Sequence, residues 1–282
     1  MAPPEVRGVG AQGAGMGAIT PAFPTVDAPV ADDILIGLGE SVGNEAYTVP
    51  SGWAHVLGSP INVDTTTRLT VIWKRFVGGD TALSWGDSGN HNIGRIIAIS
   101  DCKTSGDPWN VSPQVATETA ANASVEWPAV TTTVDDCLIL FCVATGRDIG
   151  STSNMSALSG GTGLTSATER MDDWTALGTG GGFGMITAIK AAAGSTGSPT
   201  ATVGSNDSKA VMTLALEPAA EATPITLTET ATGVDALTVT ATVPLDDAAS
   251  AVDDVTVDTG AGPTEPDPNS YSFAGFGNGP MF

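Results

Sequence analysis

"TRLTVIWKRF", residues 67–76, decides how the chain is read. Leu69, Val71 and Trp73 recur with a period of two, the spacing of a strand that rests one face on a core. The same alternation returns in "KAVMTLALEP" (209–218), through Ala210, Met212, Leu214 and Leu216. Around these lie further short apolar runs: "DDILIGLGE" (32–40), "GRIIAISDC" (94–102), "DDCLILFCVAT" (135–145) and "FGMITAIKAAA" (183–193). Gly, Asp, Ser or Pro bounds each one. No window of about a dozen residues carries a 3.6-residue stripe. Weaker strands are expected around 55–58, 115–119, 125–130, 164–170 and 200–204. About ten strands with frequent turn signals predict an all-β chain, an antiparallel sandwich or barrel.

"VPSGW" (49–53) is a turn that feeds a strand. Pro50 fixes its own φ, Gly52 supplies a left-handed position, and Trp53 lays a large apolar group on the sheet. Trp53 is therefore expected to be a core anchor.

Composition supports a folded chain. Of 282 residues 41% are hydrophobic, enough for a core, while aromatics make up only 5%. The formal net charge is −21, which argues against nucleic acid and anionic membrane as partners. No run of about 18 apolar residues is present, and "MAPPEVRGVGAQG" lacks the apolar centre of a signal peptide, so synthesis in a cytoplasm without a cleaved leader is expected. Cys137 and Cys142 are five residues apart in one strand, on opposite faces, and cannot pair with each other. Cys102 could reach either, but no disulfide framework or metal-ligand spacing emerges, and neither metal nor cofactor is expected.

Three regions follow. Residues 1–30, rich in Gly, Ala and Pro, read as an extended arm with one short strand; 31–218 as the sandwich; 219–282 as an acidic tail. All ten Lys and Arg residues precede position 210. In the tail "LTETATGVDALTV" (227–239) aligns with "LDDAASAVDDVTV" (245–257) at a spacing of 18. Two copies are too few to stand alone as a solenoid. The last residues, "YSFAGFGNGPMF", gather Tyr271, Phe273, Phe276 and Phe282 beyond a Pro-rich spacer. They are expected to be assembly contacts on another chain.

Several motifs point to chemistry without the context it needs. "GVGAQG" (8–13) fits the dinucleotide pattern, but no strand precedes it and no helix can follow. "GDSG" (86–89) is similar to the nucleophile segment of trypsin-like proteases, yet only 33 residues separate His55 from Ser88. That is too few for the two barrels of that fold. The pairs Asp32-Asp33, Asp135-Asp136 and Asp172-Asp173 point to opposite faces of a strand, unlike the facing carboxylates of a glycosidase. A Ser-His-Asp or Glu-His site built on His55 or His91 stays open at this point, because acid–base geometry is visible only in three dimensions.

Taken in order, "DDILIGLGE", "VPSGW", "TRLTVIWKRFVGGD", "GNHNIGRIIAIS", "TTTVDDCLILFCVAT", "GGGFGMITAIKAAAGSTG" and "KAVMTLALEP" resemble a β-sandwich domain common in virion structural proteins of tailed bacteriophages. The resemblance covers about residues 15–218. It implies a jelly-roll-like or lectin-like sandwich with a virion role and no catalytic residues to carry over. The expected function is a non-enzymatic decoration, head-fibre or tail-fibre subunit that assembles through its N-terminal arm and C-terminal tail, with other virion proteins and copies of itself as partners. Two alternatives accompany it. One is a module that binds host-surface glycans, with Trp85 and Trp109 as candidate ligand contacts. The other is a glycan-cleaving enzyme that depends on His91 or a carboxylate.

Overall fold

A computed structural model describes residues 2–43, 48–79, 83–85, 89–146 and 155–221. Fourteen strands are described in it: β1 Glu5–Val9, β2 Gly13–Gly15, β3 Ile34–Ser41, β4 Ala54–His55, β5 Ile61–Val63, β6 Thr67–Arg75 and β7 Asn92–Ser100; then β8 Gln114–Glu126, β9 Thr131–Thr132, β10 Cys137–Thr145, β11 Leu164–Thr175, β12 Gly181–Lys190, β13 Gly194–Ser195 and β14 Thr200–Leu216. The first sheet runs β1-β7-β3-β6-β4, with β2 also on β7 and β5 also on β6. The second runs β11-β12-β10-β14-β8, and β9 with β13 forms a small ribbon. Every pairing between strands is antiparallel. The chain is all-β, two antiparallel sheets in a sandwich-like arrangement.

Alternation places the core. Ile34, Ile36 and Leu38 of β3, Leu69 and Val71 of β6, and Ile93, Ile97 and Ile99 of β7 share one apolar cluster with Leu138, Leu140 and Cys142 of β10 and Met212, Leu214 and Leu216 of β14. These are the inner faces of the two sheets. The outer faces are covered as well. Val125, Trp127 and Val130 lie with Ile139, Phe141 and Val143 outside the second sheet. Ile19, Leu83 and Trp85 lie with Leu35, Ile72, Ile96 and Ala98 outside the first. Double-sided burial explains why "ILIGLGES" and "CLILFCVAT" are apolar almost throughout: every residue of both strands is buried.

Residues 1–30 hold two strands and a bridge where an arm with one short strand was expected. β1 and β2 both pair with β7, and Ile19 forms a bridge with Trp85. Glycine makes this possible. A Cβ on Gly10 would lie 1.8 Å from the Ala22 carbonyl oxygen, so "GVGAQG" is where two N-terminal segments stack backbone to backbone. At the other end, the separate strands expected at 200–204 and 209–218 are one strand, β14. Likewise 115–119 and 125–130 merge into β8, whose pairing with β14 shifts register between Thr202 and Asp207 and again before Lys209. Bulges let the ladder run through the Gly204–Asp207 turn signal. Beyond Leu216, Pro218 bridges Cys102 and the Ala219 N–H donates to the Asp101 carbonyl at 2.8 Å. By contact the chain divides into Met1–Thr230 and Ala231–Phe282. The tail repeat and the four terminal aromatics lie outside the described residues.

The cysteines sit as alternation requires. Cys142 is in the inner cluster and Cys137 in the outer one, and all three thiols are free and buried. Burial raises the Cys137 thiol to about 12 and pushes Cys102 and Cys142 up as well.

Candidate functional site

The inner-face alternation of β3 runs Ile34, Ile36, Leu38 and then Glu40, a carboxyl where a core side chain belongs. Extending the alternation of β7 backwards from Ile93 gives His91. Both side chains are fully buried. His91 Nε2 lies 3.0 Å from Glu40 Oε2 and 3.2 Å from Oε1. Thr67, the first residue of β6, donates its hydroxyl to Glu40 Oε1 at 2.9 Å. Three neighbouring strands of the first sheet thus bring a carboxyl, an imidazole and a hydroxyl together at one end of the interior.

The other ring nitrogen meets the second sheet. His91 Nδ1 is 3.1 Å from Asn90 Oδ1 and 3.3 Å from Thr179 Oγ1. The Thr179 N–H donates to that same Asn90 Oδ1 at 3.1 Å, which fixes the amide with its oxygen toward the ring. An acceptor facing Nδ1 makes this nitrogen a donor, so Nε2 and the Glu40 carboxyl share a proton between them. Burial raises the Glu40 carboxyl to about 7, opposed by the hydrogen bond and charge of His91 and by the Thr67 hydroxyl.

Glycine again sets the approach. A Cβ on Gly181, the first residue of β12, would lie 2.1 Å from Glu40 Oε2 and 2.5 Å from His91 Nε2. One on Gly178, where φ is +57°, would lie 2.0 Å from Asn90 Oδ1. The run "GTGGG" at 178–182 thus lets the backbone of the second sheet press directly on the pair. A side chain at 181 would therefore clash with the carboxyl and the imidazole. A second polar tie lies nearby in sequence on β7. Arg95 Nη1 reaches Asp173 Oδ2 of β11 at 3.3 Å. Burial raises the Asp173 carboxyl, and Arg95 pulls it down.

The residues expected from sequence fall elsewhere. Trp53 closes its turn with an N–H to the Pro50 carbonyl at 3.1 Å, and Gly52 has φ +81°. Trp53 is only half-buried, packed at the margin of the outer cluster of the first sheet, so it is a flanking contact rather than a central anchor. Trp85 is 1% exposed. Its ring lies over Gly37, Gly39 and Gly94, where added Cβ atoms would come within 2.7, 2.0 and 2.6 Å of it. That enclosure leaves no face for a ligand. Trp109 is half-buried and meets Trp73 edge-on, with centroids 5.7 Å apart. His55 is exposed, with its Nδ1 3.5 Å from Ser59 Oγ; partial desolvation and then the Arg68 charge lower its pKa. It does not join His91.

Asp172 and Asp173 point to opposite faces, as expected. Asp172 accepts the Met155 N–H on one side at 3.2 Å, and Asp173 pairs with Arg95 on the other. Among the described residues no cluster of His, Cys, Asp and Glu could hold a metal ion. None of their helices is long and apolar enough to cross a membrane. Sequence reasoning singled out His91 and missed Glu40. The signal for it was present, since the Ile34, Ile36, Leu38 alternation points Glu40 inward. Compared with known proteins, the chain matches no family model, no curated protein and no solved structure.

Proposed function

We propose that the chain is a non-enzymatic structural component of a bacteriophage virion: a decoration, head-fibre or tail-fibre subunit. The observation that carries this reading is the ordered succession of segments across about 15–218, which forms two antiparallel sheets with a buried acid–base pair between them. A catalytic Glu–His pair has to meet a substrate. This one is packed against Gly181, and through His91 and Thr179 it meets the turn before β12. The jelly-roll-like or lectin-like form of the sandwich belongs to the same proposal, as does location in the virion after synthesis in the bacterial cytoplasm. Assembly with other virion proteins and with copies of itself is assigned to the C-terminal tail rather than to tail and arm together, because β1 and β2 of the arm are paired with β7. Glycan binding loses Trp85 and keeps only Trp109 of its two candidate contacts.

The test is a cryo-electron microscopy map of purified particles, with and without residues 270–282. Density for the sandwich at symmetry-related positions, lost in the truncated form while the isolated chain stays folded, supports the proposal. Undiminished incorporation removes the role assigned to the tail. Absence of the chain from particles removes the proposal altogether.

A further inference from the structure

On β14, Lys209 is completely buried. Its Nζ donates to the main-chain oxygens of Asn122 at 2.6 Å and Asp207 at 2.7 Å. Two side chains of β8 complete its surroundings. Asn122 Oδ1 lies 3.4 Å from Nζ, and Glu118 Oε2 lies 3.3 Å from it. Glu118 Oε1 accepts a hydrogen bond from Asn122 Nδ2. One carboxyl therefore touches the amine with one oxygen and the carboxamide nitrogen with the other. The amine, in turn, rests beside the oxygen of that same carboxamide.

The bulged register produces this geometry. Asp207 pairs with Asn122, and Lys209 pairs with Glu118, so four residues of β8 span two of β14. The surplus brings Glu118 and Asn122 together over a single lysine. A buried ammonium satisfied by carbonyl oxygens needs no carboxamide beside it. An ion pair needs no carboxyl bridged to an amide nitrogen. An amine, a carboxamide and a group touching both are the components of amide exchange.

We propose that Lys209 and Asn122 join in an intramolecular amide cross-link between β14 and β8, with Glu118 as the proton carrier. The Lys209 ammonium passes a proton to Glu118 Oε2, and the neutral amine attacks Asn122 Cγ. Glu118 returns the proton to Nδ2 as the Cγ–Nδ2 bond breaks. The amine's second proton passes to the Glu118 carboxylate and from there to solvent, so the leaving nitrogen carries three hydrogens. One Nζ–Cγ bond replaces one Cγ–Nδ2 bond, ammonia departs, and no oxidant or cofactor takes part. Glu118 is partly exposed, which gives the ammonia a way out. Holding the reacting groups in contact replaces a bimolecular encounter with a positioned one. The reaction occurs once per chain and is a self-modification, not turnover. It fastens β8, which ends the second sheet with only β14 beside it.

Mass spectrometry of the full chain tests this directly. The cross-linked chain is lighter than its sequence by about 17 Da, one ammonia. Trypsin then yields residues 104–147 joined to 191–282, because an acylated Lys209 is no longer cleaved. Glu118→Gln keeps the full mass and releases 191–209 and 210–282 separately, with a β-type circular dichroism spectrum showing that it folds. Lys209→Arg, which lacks the nucleophile, likewise shows the full mass of its own sequence. A folded wild-type chain of full mass that is cleaved at Lys209 overturns the proposal. So does an ammonia loss that maps to other residues, or a Glu118→Gln chain that cross-links as readily as wild type.

Discussion

Two glycine-lined seats in this molecule accept very different guests. Outside the first sheet, Gly37, Gly39 and Gly94 form a bare strip for the Trp85 ring. Inside, Gly181 forms the wall against which Glu40 and His91 rest. Backbone approach is the common device. In the outer seat the ring is buried apolar area, added to the Ile19–Trp85 backbone bridge, so the ring's contribution follows the surface removed from water. The inner one is held by hydrogen bonds between groups that are costly to bury singly. Loss of its guest should therefore hollow the outer seat, while loss of one member of the inner pair should strand the other.

The largest effect is expected at the outer seat. Trp85→Ala should lower stability by about 3–5 kcal/mol in denaturant unfolding, the range for truncating a fully buried aromatic. A loss under about 1 kcal/mol would mean that the ring does not occupy the strip. Glu40→Ala should come next, at about 3 kcal/mol, because it leaves the His91 ring buried opposite nothing. Glu40→Gln, which keeps an acceptor for Thr67, should lose less. Equal losses for the two variants would show that the pair acts by volume and not by proton sharing.

Gly181→Ala should cost about 1–3 kcal/mol through overpacking. Gly17→Ala is its control, since nothing lies within 4 Å of a Cβ there. If the two behave alike, the inner wall is softer than described. Trp53 shares the outer cluster with Trp85 but is only half-buried. Trp53→Ala should lose about 1–2 kcal/mol, visibly less than Trp85→Ala. A loss as large as that at Trp85 would make Trp53 the anchor its turn suggested.

The last comparison concerns pH. Glu40 holds its proton more tightly in the fold than in the unfolded chain, about 7 against 4.5. Its contribution is complete below 4.5 and is lost as pH rises through about 7. Around it lie His91, Thr67 and the Asp207 charge, which raises Glu40 further. Melting temperature should therefore fall across this window in the wild type and fall less in Glu40→Gln. General repulsion in a chain of net charge −21 acts on both proteins, so the difference between them isolates Glu40. Parallel curves would sink the shared-proton reading.

Much of this was legible in sequence, for a local reason. Strand alternation is a property of consecutive residues, so it revealed the strands, the opposite faces of Cys137 and Cys142, and the inward aim of Glu40 for anyone extending the pattern by one step. The Pro50–Trp53 turn was equally local. Tertiary structure alone decided which inward polar groups meet. Glu40 and His91 are 51 residues apart, and Asn122 and Lys209 are 87 apart. Their contact depends on strand order and on the bulges of β8, and no local period encodes either. The same holds for Trp85, which a loop sequence presented as a surface ring. Three glycines on β3 and β7 made room for it, and only the pairing of those strands, Gly39 directly beside Gly94, brought the three together.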